Sequence, residues 1–200
     1  MNRCLICFKR IEETLVDIKV CGKCLDKFKH INKVVYYKGI EIFILYEYND
    51  FFKEVLYRFK GCYDRELKYA FLNNHLFRLR IKYRGRKIIC APSSKIDDEA
   101  RGFNHIKEIA SLMKLPVLDC VYKIADYKQS SKKMHEINKI QNIIRIDKTR
   151  LKAKDKILII DDVATSLSTI KTIIQLLTTE YDIKVLILAS HCRFVTDEMN

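Results

Sequence analysis

The sequence contains no apolar run that approaches the roughly 18–20 residues needed to span a membrane. Its amino-terminal segment, MNRCLICFKR, lacks the long apolar core and the small-residue cleavage site of a signal peptide. Internal repeats and low-complexity tracts are also absent, which excludes a repeat array and favours a compact fold. These absences predict a cytoplasmic protein with no membrane span.

Tryptophan is absent, and proline and glycine are scarce, at 2 and 5 residues of 200. Basic residues, by contrast, number 38 against 25 acidic residues, which gives a net charge of +13. Such an excess favours polyanions as partners, because binding releases condensed counterions. A genome-wide bias toward lysine, isoleucine and asparagine would raise the charge in the same way. The length suits one α/β domain with a small appendage.

Four cysteines near the amino terminus have the spacing of a metal site. The pattern is Cys4-x2-Cys7-x13-Cys21-x2-Cys24, and four thiolates in two close pairs can surround a zinc ion tetrahedrally. About thirty residues cannot build an adequate core alone, so a metal would supply the folding energy. The alternatives are two disulfides, which a cytoplasmic setting disfavours, or free thiols. We predict a structural zinc module over residues 1–33.

The segment 156–169, KILIIDDVATSLST, combines three patterns in register. A short apolar run at residues 157–160 predicts a buried parallel strand, which is followed by Asp161 and Asp162 and by a loop rich in hydroxyl groups. Apolar residues then recur at helical spacing, so the loop leads into a helix amino terminus, where unpaired N–H groups favour a phosphate. The two carboxylates are placed to accept hydrogen bonds from sugar hydroxyls. The alternative is an ordinary strand, turn and helix with two solvated aspartates.

This segment resembles the phosphoribosyl diphosphate (PRPP) motif of type I phosphoribosyltransferases. The resemblance implies that Asp161 and Asp162 are the catalytic pair that holds the ribose 2′ and 3′ hydroxyls. It also implies that the 5′-phosphate binds the loop formed by Ala164, Thr165, Ser166, Leu167, Ser168 and Thr169. Leu167 stands where the motif has glycine. We expect a cost of roughly 1–2 kcal/mol if the backbone there has positive φ, and a side chain that crowds the phosphate.

The remaining periodicity predicts further elements of an α/β fold. Apolar runs predict strands at residues 41–46, 87–91 and 184–189. Helices are predicted from Asp50 to about residue 59 and over residues 64–83, with a short helix at residues 26–34 that ends the zinc module.

Basic and aromatic residues alternate over residues 57–87. Positive charge next to exposed ring faces is what single-stranded nucleic acid binds. The alternative, which is weighted equally, is a pair of amphipathic helices whose long basic side chains cover apolar surface. The residues that we predict to contact single-stranded DNA are Arg58, Lys60, Arg78, Arg80 and Arg84.

A second resemblance extends over nearly the whole chain. A strand that ends in Pro92-Ser93-Ser94, then Arg101-Gly102-Phe103-Asn104, together with Phe59-Lys60-Gly61 and the four cysteines, is similar to the ComF family. Those proteins join a Cys4 zinc element to a phosphoribosyltransferase-like domain and are associated with DNA uptake in competent bacteria. The resemblance implies a mostly parallel α/β sheet of the type I phosphoribosyltransferase type over residues 38–200, and a DNA-uptake helicase as a partner.

The same resemblance implies a pyrophosphate site formed by Pro92, Ser93, Ser94 and Arg101. Between that loop and the arginine lies the acidic run Asp97-Asp98-Glu99. We expect these carboxylates to repel pyrophosphate unless Mg²⁺ intervenes or they point to solvent. The alternative is that they occupy the first turn of a helix, where negative charge is favourable.

Two hypotheses follow. In the first, the protein binds PRPP or a related phosphate ligand and handles single-stranded DNA during DNA uptake. In the second, it is an active nucleobase or salvage phosphoribosyltransferase, in which a nitrogen nucleophile displaces pyrophosphate from PRPP and Mg²⁺ screens the charge.

Overall fold

The computed structural model describes residues 3–11, 19–124, 144–164, 166–177 and 181–191. The helices are α1 Gly22–Leu25, α2 Asp50–Gly61, α3 Lys68–Leu72, α4 Leu76–Lys82, α5 Lys95–Arg101, α6 His105–Ser111 and α7 Ser168–Leu177. The strands are β1 His30–Tyr37, β2 Ile40–Glu47, β3 Lys87–Cys90, β4 Val117–Leu118, β5 Val121–Lys123, β6 Ile144–Ile146, β7 Lys156–Ala164 and β8 Asp182–Ser190. Two 3-10 turns lie at Arg65–Leu67 and Lys148–Arg150.

The main sheet confirms the predicted α/β fold with a mostly parallel sheet. Its six strands have the order β1-β2-β8-β7-β3-β4, and every pair is parallel except the β1–β2 hairpin. Strands β5 and β6 form a separate antiparallel pair. The central strands β7 and β8 are almost continuously apolar and buried. That pattern is typical of parallel strands covered on both faces.

The strand order reverses between β3 and β7. The chain leaves β3 and returns on its outer side as β4, whereas it leaves β7 and returns on the opposite side as β8. The loops that follow these two adjacent strands therefore diverge, and an open crevice lies at their carboxyl ends. Ligands of open α/β sheets bind at such a topological switch point. The predicted pyrophosphate and phosphate loops are the two loops that border it.

Two predicted helices differ from the observed ones. Residues 64–83 form the first 3-10 turn, α3 and α4 rather than one helix. The helix ends at Leu72 and a new helix begins at Leu76. Between them, buried His75 has its Nε2 3.0 Å from Nδ1 of His30 on β1. The short helix predicted at residues 26–34 is wrong, because residues from His30 onward pair with β2. The helix of the zinc module lies earlier, at α1.

Within the described ranges, no helix is both long enough and apolar enough to cross a bilayer. The predicted division between residues 1–33 and 38–200 stays a prediction. Strand β1 spans that division. One hydrophobic cluster contains buried residues from both sides of it, such as Ile6 and Phe28 before it and Tyr46 and Phe52 after it.

Arg86 joins the amino-terminal ends of β7 and β8. Its guanidinium donates to the carbonyl oxygens of Ile157 and Asp182, at 3.1 and 2.8 Å, and to both carboxylate oxygens of Asp182, at 3.0 and 2.8 Å. The arginine side chain is only 8% exposed. Buried backbone acceptors that lose such a donor are left without a partner, which costs more than the bond itself contributes.

We therefore expect Arg86→Ala to lower the free energy of unfolding by about 2–4 kcal/mol. Arg84→Ala is the matched control, because Arg84 is exposed, and it should change stability little. Urea unfolding followed by circular dichroism measures both variants. Equal midpoints for the two variants would contradict the role given to Arg86.

Candidate functional site

The four amino-terminal cysteines converge on one point. The sulfur atoms of Cys4, Cys7, Cys21 and Cys24 all lie within 4.8 Å of one another. Tetrahedral zinc with bonds of about 2.3 Å places its sulfur ligands about 3.8 Å apart, and the Sγ atoms of Cys7 and Cys21 are separated by 3.8 Å. The donor set therefore fits a metal ion such as zinc, and it leaves no open coordination position for catalysis.

Backbone groups favour the ionised form of one thiol in this cluster. Burial by itself raises the pKa of Cys4, but backbone hydrogen bonds from Cys7, Cys21 and Ile6 outweigh it and lower that pKa to about 6. Helix α1 begins directly after Cys21, and the N–H of Cys24 donates to the carbonyl of Cys21 at 3.0 Å. The second pair of cysteines is thus held by one helical turn.

Arg58 attaches the cysteine cluster to helix α2. Its guanidinium donates to the carbonyls of Ile6 and Leu5, at 2.8 and 3.1 Å, and lies 5.2 Å from the ring centroid of Phe8. These three residues belong to the segment that carries the first two cysteines. The guanidinium is also 3.5 Å from a carboxylate oxygen of Asp64. Arg58 is therefore engaged in internal contacts.

The two aspartates predicted to follow strand β7 lie inside it. Register with β8 continues through Asp161, Val163 and Ala164, which pair with Ile187, Ala189 and Ser190. The prediction that the strand ends at residue 160 is therefore wrong, because the apolar partner strand is long enough to extend the pairing. Side chains of consecutive strand residues alternate between the two faces of a sheet, so Asp161 and Asp162 have different surroundings.

Asp162 accepts two charged or polar donors from other elements. Its Oδ2 lies 2.8 Å from Nζ of Lys60, at the end of α2, and 3.2 Å from Nε2 of His105, at the start of α6. Burial by itself raises the pKa of Asp162, but the His105 hydrogen bond and the Lys60 charge outweigh it and hold that pKa below its usual range. Asp162 is therefore the ionised member of the pair.

The pKa of Asp161 is shifted in the opposite direction. Burial, together with the adjacent negative charge of Asp162, raises the pKa of Asp161 well above its usual range. Its Oδ1 accepts from the backbone N–H of Asp162 at 2.9 Å. Opposite shifts are the usual outcome when two carboxyl groups lie side by side and only one of them has cationic partners.

The segment Arg101-Gly102-Phe103-Asn104-His105 bends the chain between two helices. Gly102 ends α5 in the left-handed region at φ 76°, where a side chain is unfavourable. Asn104 caps α6 by accepting from the N–H of Lys107 at 2.9 Å. Phe103 packs against Phe59, with ring centroids 5.4 Å apart. The turn thereby brings the side chains of Arg101 and His105 together over β7.

Arg101 connects Asp162 to the predicted pyrophosphate loop, residues 91–94. Its guanidinium lies 3.1 Å from Nδ1 of His105, donates to the carbonyl of Lys60 at 3.0 Å and pairs with Oδ1 of Asp98 at 2.9 Å. Burial lowers the pKa of His105 in spite of the opposing effect of Asp162. The neutral ring therefore donates from Nε2 to Asp162 and accepts at Nδ1 from Arg101.

Asp98 occupies the donors of the pyrophosphate loop. Its Oδ2 accepts from the hydroxyl of Ser93 and, at 2.7 Å, from the side-chain amide of Asn104. That amide also lies 2.8 Å from the Ser93 hydroxyl oxygen. Asp97 and Asp98 lie in the first turn of α5, which Ser94 caps. This is the position that the alternative explanation of the acidic run predicted. A cavity of about 160 Å³ beside the loop is lined by residues that include Pro92, Ser93 and Asp98.

The predicted phosphate loop, residues 164–169, includes the first two residues of α7, Ser168 and Thr169. Leu167 has φ 50°, in the left-handed region that glycine occupies most easily. Its side chain is 6% exposed and packs in the hydrophobic core, where burial offsets the backbone cost. The hydroxyls of Ser166 and Ser168 are 3.0 Å apart. Thr165 lies outside the described residues.

The five predicted nucleic-acid residues have different surroundings. Arg58 and Lys60 make the contacts given above, and Arg80 donates to the carbonyl of Leu112 at 3.2 and 2.6 Å. Arg78 and Arg84 are exposed. Exposed Phe77, with 78% of its side chain accessible, lies beside Arg78 on α4.

Three residues of the network were not assigned a site role from the sequence: Asp98, Asn104 and His105. Lys60, which was predicted to contact nucleic acid, pairs with Asp162. The signal for Asn104 and His105 was their place in the Arg101-Gly102-Phe103-Asn104-His105 segment, three and four residues after Arg101. The contacts of Asp98 depend on how α5 packs against the loop of Ser93 and the segment of Asn104, and no sequence pattern indicates that packing.

Comparisons with known proteins bear on the fold in outline. No family model matches the chain, and no curated protein matches it. A hypoxanthine phosphoribosyltransferase from Staphylococcus aureus is similar over 64% of this chain and 66% of its own, with 16% identity and a TM-score of 0.37. An adenine phosphoribosyltransferase from Saccharomyces cerevisiae is similar over 85% of this chain and 89% of its own, with 13% identity and a TM-score of 0.44. These similarities concern the fold alone.

Neutralising Asp98 should strengthen the binding of pyrophosphate. Asp98→Asn removes a negative charge and releases Ser93 and Arg101, so we expect the affinity for pyrophosphate to rise by roughly 10-fold or more. Isothermal titration calorimetry with pyrophosphate measures the change. Glu99→Gln is the matched control, because Glu99 is an exposed residue of the same helix. An equal rise in both variants would indicate a general charge effect.

Removal of a metal from the cysteine cluster should destabilise the whole described fold. Ile6 and Val20, which flank the cysteines, are buried in the common core, so loss of the cluster exposes apolar surface. We expect Cys24→Ser, or a strong chelator with reductant, to lower the melting temperature and to abolish bound zinc, measured by atomic absorption. Cys62→Ser is the control, because Cys62 is exposed and lies outside the cluster. Protein without zinc but with an unchanged melting temperature would contradict the prediction.

Proposed function

We propose that this protein binds PRPP, or a closely related phosphorylated ribose, in the crevice between β3 and β7. The observation that carries the proposal is the continuous set of hydrogen bonds from Asp162 through His105 and Arg101 to Asp98 and Ser93. It joins the carboxylate expected to hold ribose hydroxyls to the loop expected to hold pyrophosphate. Both ends lie at the topological switch point of the sheet.

Each part of such a ligand has a counterpart in the site. The ribose hydroxyls would donate to ionised Asp162, and the 5′-phosphate would bind the N–H groups at the start of α7. The pyrophosphate would exchange with Asp98 for the donors Ser93, Asn104 and Arg101. Mg²⁺, which the resemblance implies, would be held by ribose hydroxyl and pyrophosphate oxygens, since Lys60 already lies beside Asp162.

Binding rather than turnover is the activity that these contacts support best. The donors of the pyrophosphate loop are held by Asp98 and the Asp162 charge by Lys60, so a substrate has to exchange both internal pairs. Release of pyrophosphate on incubation with Mg²⁺ and a panel of nucleobases would favour the second hypothesis, an active phosphoribosyltransferase.

The resemblance to the ComF family supports a finer proposal. We infer that the protein acts in the cytoplasm, handles single-stranded DNA during DNA uptake and works with a DNA-uptake helicase. The net charge of +13 and the exposed basic residues Arg78 and Arg84 near Phe77 support it. In this view the zinc module is structural, and the phosphoribosyl site is a ligand site on a DNA-handling protein.

The proposed ribose contact is tested with two ligands that differ by the ribose. Asp162→Asn keeps the shape of the side chain but removes its charge, so we expect PRPP to bind roughly 10-fold or more weakly. Pyrophosphate, which has no ribose, should bind as well as to the wild type or better, because Lys60 is released. Calorimetry with each ligand measures both affinities.

Asp50→Asn is the control, since Asp50 is an exposed aspartate at the start of α2. Unchanged PRPP affinity in Asp162→Asn would contradict the proposed contact between Asp162 and the ribose. Failure of the wild-type protein to bind either ligand would end the proposal altogether.

A further inference from the structure

A cavity lies between helices α2 and α5, next to the proposed PRPP site. Its volume is about 460 Å³, which is within the usual range of small-molecule sites. Three tyrosines and three basic residues are among the residues that line it: Tyr48, Tyr57, Tyr63, Lys53, Lys60 and Arg101. Lys60 and Arg101 therefore border both this cavity and the network around Asp162.

The ring of Tyr57 is held against the backbone of Gly61. A Cβ atom added to Gly61 would lie 2.9 Å from a ring carbon of Tyr57, which is closer than real contacts allow. Tyr57 nevertheless remains 65% exposed. The third residue of the Phe59-Lys60-Gly61 element therefore lets an exposed aromatic ring lie flat against the helix, where it forms a wall of the cavity.

The ring of Tyr63 is positioned by an unfavourable backbone conformation. Tyr63 has φ 62°, in the left-handed region, although it is a bulky residue. Its side chain is 53% exposed, so burial does not account for the conformation. Tyr63 directly follows the C-cap of α2, and the N–H of Asp64 donates to the carbonyl of Arg58 at 3.2 Å, so the turn that ends the helix sets this conformation and holds the ring beside the cavity.

The charges around the cavity favour a ligand with an anionic group. Lys53 is exposed, and the Lys60 side chain is 33% exposed even though it pairs with Asp162. Asp97 is the acidic residue of the lining. Exposed tyrosine faces beside lysine side chains are the combination that binds an unstacked base together with its phosphate.

We propose that this cavity binds one nucleotide unit, with its base stacked on Tyr57 and Tyr63 and its phosphate near Lys53. The inference deepens the DNA-handling part of the proposed function, because it names the place at which a single strand meets the protein. It also puts that base next to Lys60, so strand and PRPP would bind adjacent sites. The unit can come from a single strand or from a free nucleotide, which share this chemistry.

The experiment uses a single-stranded oligothymidylate with one 2-aminopurine, whose fluorescence is quenched when the base stacks. We expect Tyr57→Ala to weaken binding by roughly 5- to 150-fold and to abolish the quenching, as loss of one stacked base does. Tyr57→Phe keeps the ring and should bind like the wild type. Tyr36→Ala is the matched control, because Tyr36 is also 65% exposed but lies on β1, outside the cavity lining.

A second variant separates binding from folding. Tyr63→Gly relieves the left-handed strain, so its melting temperature should not fall, whereas its affinity for the oligonucleotide should fall as in Tyr57→Ala. Competition by thymidine 5′-monophosphate, which does not contribute to the 2-aminopurine signal, at equal concentrations of nucleotide units would identify a free nucleotide as the ligand. Competition only at far higher concentrations would identify the strand; both results support the site.

The result that overturns the inference is wild-type affinity and quenching in both Tyr57→Ala and Tyr63→Gly, or absence of binding by the wild type itself. PRPP titrations on the same variants distinguish this failure from failure of the proposed function. Tyr57→Ala should bind PRPP normally. A wild-type protein that binds the oligonucleotide through Tyr57 but does not bind PRPP would retain this site and lose the proposed phosphoribosyl site.

Discussion

The ionised carboxylate of Asp162 is the group around which the site is arranged. A buried charge is costly unless it is paired and hydrogen-bonded, and Asp162 obtains its partners from Lys60 on α2 and His105 on α6. Arg101, at the end of α5, completes the connection through His105. Three helices are thereby fixed against the carboxyl end of β7, where the strand order of the sheet reverses.

Internal ion pairs engage the charged groups of the site. Asp98 holds the donors beside the pyrophosphate loop, and Lys60 neutralises Asp162. The proposed phosphorylated ligand would therefore exchange one set of charged contacts for another, and its net gain would be smaller than the number of its contacts indicates. Such an exchange of ion pairs would favour a strong polyanion over a weakly charged ligand. It also explains how acidic residues can lie near a loop that is predicted to bind pyrophosphate.

Helix α2 connects three features that are distant in the sequence. Arg58 contacts the segment of the first two cysteines, Lys60 contacts Asp162, and Tyr57 and Gly61 form a wall of the larger cavity. Because these residues follow one another on a single helix, displacement of that helix moves all three features together. The cysteine cluster is far from β7 along the chain, but α2 connects it directly to the proposed ligand sites.

The sequence by itself determined the features that depend on local pattern: the strand and helix flanking the phosphate loop, the mostly parallel α/β sheet and the convergence of the four cysteines. Periodicity and ligand spacing are properties of short segments, so they are visible without a fold. Only the tertiary structure decided that β7 continues through Asp161 and Asp162, since partner strand β8 extends the pairing. It also decided that Lys60 lies on Asp162, that Asp98 binds Ser93 and that Leu167 is buried, because each contact joins segments whose approach depends on packing rather than on local propensity.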